Sequence, residues 1–413
     1  MNQKTLIGLA VATLIAIVAA IVLNHANTPR SESGGETSTY FVPELRDHVN
    51  DVSRVVVTGA ESKTLATLER DAKGWSLKEK GGYAVETGKL REFLLKLADA
   101  KNVEAKTANK DKYATLGVDD VDAKDAKGLE VELDGLAQPL KFIVGSTNPR
   151  SGGTFVRRVG DAQSWLASGA LTVEKNAADW LKKDLVDIAA TRVASVAITH
   201  ADGKVVRVAK DAEADANFKL AEVPKGREAG AEFALNGLAS TLAGLRFDDV
   251  VAAKDAMPDD KASKARYAMF DGLVVDTTAW EKDGKDYAQF VASLDTAQAG
   301  KGIAAAQAKA KSDFETAIAT KPETAKDAKV VDEPIKPLAV SDPVKDRADR
   351  LALLNKEVAE LNAHFGSWTY VLPAYKYANI NKSLDDLLKP LEEKKPAQSA
   401  AKVPVRTPET PGH

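Results

Sequence analysis

The sequence predicts an α+β protein: an N-terminal transmembrane helix, then two tandem repeats of an antiparallel sheet with packed helices, the second interrupted by a helical hairpin. Three observations carry this prediction. They are a charge-free apolar run near the start, an internal similarity at a spacing near 140 residues, and a stretch of 66 residues found only in the second copy. A chain of 413 residues has room for two or three domains.

Thr5 to Leu23 reads TLIGLAVATLIAIVAAIVL, 19 residues without a charge. At ~1.5 Å per residue it spans roughly 28 Å, enough to cross a bilayer core. Cleaved signal peptides have shorter apolar cores and a small-x-small site, which Asn24-His25-Ala26 does not supply. Residues 1–4 form the expected cytoplasmic stub. Lys4 precedes the span and Arg30, with Glu32 and Glu36, follows it, so the Lys/Arg bias keeps the amino terminus inside. Residues 24–50 read as a spacer containing the flexible run Ser31–Ser38 (SESGGETS).

The first repeat covers residues 51–190 and the second 191–389. Val52–Thr58 (VSRVVVT) matches Val193–Thr199 (VASVAIT) at a spacing of 141. Trp75/Phe218 and Leu77/Leu220 follow at 143, and Leu90/Leu235, Phe93/Leu238 and Leu97/Leu242 at 145. Asp134-Gly135-Leu136 matches Asp271-Gly272-Leu273 at 137. That period is too long for a solenoid and indicates a duplicated domain. Each copy opens with alternating runs, Arg54–Thr58, Thr64–Arg70 and Gly74–Glu79 in the first, which predict an antiparallel meander. A helix over Glu86–Ala100 follows, because Leu90, Phe93, Leu94 and Leu97 share one face; its counterpart is about Ala231–Leu245. Strands are expected at Leu129–Leu133, Leu140–Val144 and Thr154–Val159, and a closing helix near Ala177–Asp187.

Ser164-Trp165, Leu181 and Leu185 match Ser367-Trp368, Leu384 and Leu388 at a spacing of 203. The spacing has grown from 137, which places 66 inserted residues between about Leu294 and Phe365. Within this insertion, about 297–364, the Ala/Lys-rich stretch Ala299–Thr320 predicts a helix. Lys321–Pro343 contains four prolines and predicts a loop. Val344, Leu351, Leu354, Val358, Leu361 and Phe365 follow an alternating three- and four-residue spacing, with one position skipped after Val344, and predict a second helix. Residues 390–413 lack apolar periodicity and are expected to be disordered.

Composition removes several functions. Lys+Arg 57 against Asp+Glu 60 leaves no basic excess for a nucleic-acid partner. Cysteine is absent, which excludes disulfides, thiolate metal sites, cysteine nucleophiles and an acylated-cysteine anchor, and suits an exported chain. His25, His48, His200, His364 and His413 form no ligand pair, and no nucleophile can be assigned beside them. Asp119, Asp120, Asp122 and Asp125 fail the EF-hand pattern, since from Asp120 position 5 is Lys124 and position 6 is Asp125. Gly81-Gly82 and Gly152-Gly153 open no helix with a phosphate-binding lysine, and no Gly-x-Ser-x-Gly elbow occurs. No catalytic residue, cofactor or metal ligand is therefore assigned, and no enzyme activity is predicted.

Trp75, Trp165, Trp180, Trp280 and Trp368 fall mostly at repeat-equivalent positions and read as core. The run Trp368–Tyr377 (WTYVLPAYKY) differs by concentrating aromatics beside the insertion. Together with the hairpin stripe it supplies the candidate partner contacts Trp368, Tyr370, Tyr375, Tyr377, Leu351, Leu354, Val358 and Leu361.

The segments FVPELRDHVNDVSRVVVT (Phe41–Thr58), Lys80–Asp120, GTFVRRVGDAQSWL (Gly153–Leu166), GLRFDDV (Gly244–Val250) and Trp368–Tyr377 occur in an order that resembles the bacterial domain-of-unknown-function 4340 family. The likeness covers most of residues 41–389 and leaves the insertion around Ala299–Val344 uncovered. It implies a protein anchored in the bacterial cytoplasmic membrane, without an established activity, associated with ABC-type transport systems. The expected role is an extracytoplasmic accessory or scaffold, single-pass, touching lipid through residues 5–23 and a membrane-protein partner such as ABC-type transporter subunits. The alternative is a periplasmic binding module for a polysaccharide or small ligand in the cleft between repeats; a hydrolytic enzyme is the least supported reading.

Overall fold

The computed structural model describes residues 39–319 and 335–390. The expected membrane span 5–23, most of the loop Lys321–Pro343 and nearly all of the tail 390–413 lie outside them. Among the described residues no helix is long and apolar enough to cross a membrane. The architecture is α+β with antiparallel sheets.

In chain order the strands begin with β1 (Arg54–Gly59), β2 (Lys63–Asp71), β3 (Gly74–Leu77) and β4 (Tyr83–Ala84). Helix α1 (Thr87–Asp99), β5 (Asn102–Ala105), the short α2 (Tyr113–Leu116), β6 (Leu129–Asp134), β7 (Leu140–Thr147), β8 (Thr154–Arg158) and β9 (Ser164–Ala167) follow. Then come β10 (Asp184–Val186), β11 (Val193–Thr199), β12 (Val205–Ala209), β13 (Lys219–Leu220), α3 (Glu232–Ala239), β14 (Leu245–Arg246), β15 (Asp249–Ala252) and β16 (Ser263–Met269). The chain continues through β17 (Leu273–Lys282), β18 (Lys285–Leu294), α4 (Thr296–Ala319), α5 (Leu338–Ser341), α6 (Pro343–Phe365), β19 (Trp368–Val371) and α7 (Ala374–Ile380).

These elements form two compact units: the residues up to Lys73 with Thr87–Lys175, and Gly74–Glu86 with the residues from Asn176 on. In the first, the strand order is β2-β1-β6-β7-β8-β9-β5. Alternation in sequence becomes alternation in burial: Leu129, Val131 and Leu133 of β6 are buried, while Glu130, Glu132 and Asp134 between them are half-exposed. Leu90, Phe93, Leu94 and Leu97 of α1 are buried as one stripe. In the second unit the order is β13-β12-β11-β16-β17-β18-β19-β15. Leu235, Leu238 and Ala239 are the buried positions of α3. From β2 to β5 and from β12 to β15 the two orders correspond strand for strand.

The correspondence extends to details that sequence spacing alone leaves open. Gly135 and Gly272 of the two Asp-Gly-Leu motifs both have positive φ, 102° and 89°. A Cβ at Gly135 would lie 2.3 Å from Asp51 O, and one at Gly272 2.5 Å from Ala299 N, so each motif marks a turn crossed by another segment. The last turns also match: Gly230 donates to Leu387 O at 2.7 Å and Lys389 to Glu228 O at 2.9 Å, as Glu86 donates to Trp180 O at 2.7 Å and Lys182 to Ala84 O at 3.0 Å. Trp180 and Leu387 are thus equivalent at a spacing of 207, whereas Ser164 and Ser367 keep 203.

Three expected helices differ. Ala177–Asp187 is a 3-10 turn, Ala177–Trp180, followed by β10, which pairs with β14. The four-residue spacing of Leu181 and Leu185 imitates a helix, but Leu181 bridges Val85 and draws the chain out straight. Around Leu384 and Leu388 there is again only a 3-10 turn, Asp385–Leu387, and Leu388 bridges Ala229. The expected helix Ala231–Leu245 ends at Ala239, followed by a 3-10 turn in which buried Thr241 turns its hydroxyl back to Leu238 O at 2.8 Å.

Candidate functional site

The inserted hairpin is built on the second unit, and its placement follows from local sequence. Asp295 Oδ1 accepts the Gln298 N–H at 2.9 Å at the start of α4. Gly302 lets the helix lie against the β16–β17 turn, since a Cβ there would come 2.7 Å from Phe270 O. Asp342 caps α6 by accepting the Lys345 N–H at 3.0 Å, with Pro343 in the first turn. Gln307 of α4 donates to Asp346 Oδ2 at 2.9 Å and to Pro343 O at 2.8 Å, tying the helices together.

Two anchors hold α6 to its sheet. Arg192 donates to both oxygens of Glu357 at 2.6 and 2.8 Å and through Nε to Asp271 Oδ2 at 2.6 Å. Hydrogen bonding to Glu357 pushes the guanidinium pKa further up, against the opposing effect of burial, so the clamp stays charged. Asn362 imitates a strand residue: its amide accepts from Ala292 N and donates to Ala292 O, both at 2.8 Å. Phe365, fully buried, meets Phe290 at 5.4 Å, and Tyr370 donates its hydroxyl to the carbonyls of His364 and Phe365.

Between α4 and α6 lies a groove of about 590 Å³. Phe270, Ile303, Ala306, Leu353 and Leu354 supply apolar walls, with Lys301, Lys309, Arg350, Asp211 and Glu213 among its polar lining. Leu354 is buried and Leu351, Val358 and Leu361 are half-buried, so the predicted stripe is largely covered. Of the fourteen large exposed apolar residues among the described residues five are on the hairpin, Ile318, Ile335, Leu338, Val344 and Leu353, and of these only Val344 belongs to the stripe. The sequence signal for Leu353 is an apolar residue one step before the stripe position Leu354.

The aromatic run divides. Tyr375 is 67% exposed, Tyr377 and Trp368 are half-buried, and Tyr370 is completely buried, which removes Tyr370 from any contact surface of the folded chain. Tyr370 and Trp368 pack with Tyr83 and Phe247 in an aromatic cluster, the Tyr83 and Trp368 rings meeting edge-on at 5.1 Å. Burial pushes the Tyr83 phenol up to about 12 and that of Tyr370 up as well, so neither supplies a phenolate near neutral pH. Lys376, unnoticed in the sequence, is buried with its ammonium on three backbone carbonyls. Asp120 of the acidic run pairs with Arg157, and no group of three or more metal-ligating side chains occurs among the described residues.

His364, at the end of α6, donates through Nε2 to Asp184 O at 3.2 Å. Burial holds its pKa below the ordinary 6.5, a hydrogen-bond contribution from Asp184 opposes this, and nearby Lys182 lowers it further. The folded state therefore keeps a neutral ring while the unfolded chain binds a proton. Its stabilisation is full above about pH 6.5 and is lost as pH falls through the depressed folded value. The melting temperature should drop between pH 7 and 5, and His364→Gln should flatten that segment of the profile; an unchanged slope would exclude His364 as the titrating group.

Residues 75–267 match the family model described as Domain of unknown function (DUF4340). This supports the family resemblance. The DUF4340 match begins in β3 and ends in β16, leaving the hairpin α4–α6 outside it. No curated protein and no solved structure matches the chain.

Proposed function

We propose that the protein is a membrane-anchored extracytoplasmic accessory or scaffold, held by residues 5–23, that presents two copies of one α+β module to a membrane complex such as an ABC-type transporter. The hairpin is its contact element. The observation that supports this reading is the concentration of exposed apolar side chains on an insertion that the sheet of the second unit does not need for its strand order. Leu353 beside the groove and Val344 at the start of α6 are 66% and 80% exposed, so replacing both with Asp should leave the fold intact. Full-length protein carrying both changes should recover its transporter partner from crosslinked membranes at least about tenfold less well, the effect of losing ~1.4 kcal/mol of contact. Unchanged recovery, with melting also unchanged, would remove the hairpin from the interface.

A further inference from the structure

The first unit carries a groove of its own, lined in part by the segment Tyr40–Asp51. A cleft of about 880 Å³ lies between that segment and the β6–β7 turn, and a smaller pocket of about 240 Å³ shares Arg158 and Asp161 with it. Trp165, Asn102, Asp161 and Gln163 line the smaller pocket together with Tyr40, whose ring carries the Arg46 guanidinium 3.9 Å and the Lys101 ammonium 5.5 Å from its centre.

The hydrogen-bonding state of these groups defines what fits. Arg158 is committed, with two bonds to Glu44 at 3.0 and 2.6 Å and two to Phe41 O at 3.3 and 3.0 Å. In the larger cleft Lys141 faces Glu132 at 3.1 Å and His48 faces Asp51 at 2.6 Å, so the lining cations are already paired. The acceptors are not. Asp161 uses its backbone N–H and carbonyl, towards Arg158 O and the Arg157 guanidinium, but its exposed carboxylate has no protein donor. Gln163 spends its amide nitrogen on Ser164 O at 2.7 Å and keeps its oxygen, and the Asn102 side-chain oxygen is enclosed without a partner.

The Trp165 indole beside surplus acceptors, with the lining cations Arg158, Lys141 and His48 paired, selects a ligand with apolar C–H faces and many hydroxyl donors. A phosphate or polyanion would meet the Asp161 carboxylate, and a purely apolar ligand would leave the acceptors unpaired. We propose that this groove binds a neutral saccharide chain, with one ring against Trp165, its hydroxyls donating to Asp161 and Gln163, and further units continuing past Arg158 into the larger cleft. The inference is independent of the partner role of the hairpin.

The test is calorimetric titration of the full-length protein in detergent with maltotetraose, cellotetraose and chitotetraose, and with a tetragalacturonate as the charged comparison. At least one neutral tetrasaccharide should bind, and more tightly than the uronate. Asp161→Asn combined with Gln163→Ala, both away from the core, should weaken that binding about tenfold or more without changing the melting temperature; Trp165→Ala should weaken it further. Failure of all three neutral probes to bind at millimolar concentration, tighter binding of the uronate, or binding indifferent to the Asp161/Gln163 double variant would each overturn the proposal.

Discussion

Replacing Arg157 with Met should destabilise the first unit by about 2–4 kcal/mol, the cost of leaving two carbonyls without their donor and of losing a cation–π contact. Arg157 is 2% exposed on β8. Its Nε donates to Val118 O at 2.9 Å, Nη1 to Asp161 O at 3.0 Å and Nη2 to Asp120, and the guanidinium lies 4.6 Å from the centre of the Tyr113 ring. The Tyr113 hydroxyl in turn donates to Ala162 O, and Tyr113 and Val118 pack on Ile143 of β7. One side chain thus fastens the connection containing α2 to the sheet. Asp120 is half-exposed and can regain water, so the larger part of the loss comes from the two carbonyls and the cation–π contact. Arg157→Lys keeps the charge but not the planar fork and should recover less than half of the loss. Hydrogen exchange is the decisive readout: protection at residues 110–128 should fall before that of the second unit, and a denaturation midpoint within experimental error of the parent would refute the arrangement.

What the sequence makes legible depends on whether a pattern is local. The stripe Leu90, Phe93, Leu94 and Leu97 and the alternation of Leu129–Leu133 place α1 and β6 because burial follows the period of each element. Strands β5 and β15 escape such a reading: NVEA and DVVA are short, β5 lies at a sheet edge with mostly exposed residues, and their pairing with β9 and β19 is set by distant segments. Leu181 and Leu185 mislead for the converse reason, since a helical spacing is compatible with two buried residues on a bridged, extended chain. The candidate site follows the same rule. The hairpin is visible as two helices, but its groove also draws on Asp211 and Phe270, and Arg192 reaches Glu357 across 165 positions of sequence.

The two units share their strand order but not the covering of their sheets. The connection between β5 and β6 is long enough to fold back as α2 over Ile143, and Arg157 secures it; the one between β15 and β16 is much shorter. The second unit instead carries its extra residues between β18 and β19, where Asn362 completes the backbone bonding of β18. Each elaboration is therefore fixed by a polar side chain to a strand or its neighbouring segments, and those residues are where single substitutions have the largest effect.

Lys376→Met is the corresponding prediction for the second unit, with an expected loss of about 2 kcal/mol. The ammonium of Lys376 approaches Ser240 O at 3.3 Å, Thr241 O at 2.9 Å and Ala243 O at 2.8 Å, so its three N–H groups serve carbonyls just beyond the end of α3. Two effects oppose each other. Removing the ammonium leaves these carbonyls without their donor, but it also relieves the cost of burying a charge, a cost seen in the downward displacement of the lysine pKa that Asp187 only partly counters. The loss of three acceptor contacts should outweigh the relief, and Met retains most of the packed volume, so no large cavity term is added. The pH dependence separates the two effects. Between the depressed folded pKa and the ordinary 10.5 the unfolded chain binds the proton that the folded one has released, so parent stability gains from this group as pH rises through that window. The gap between parent and Lys376→Met should therefore widen on moving to alkaline pH; a gap that closes there would mean that the charged form is the one the fold stabilises.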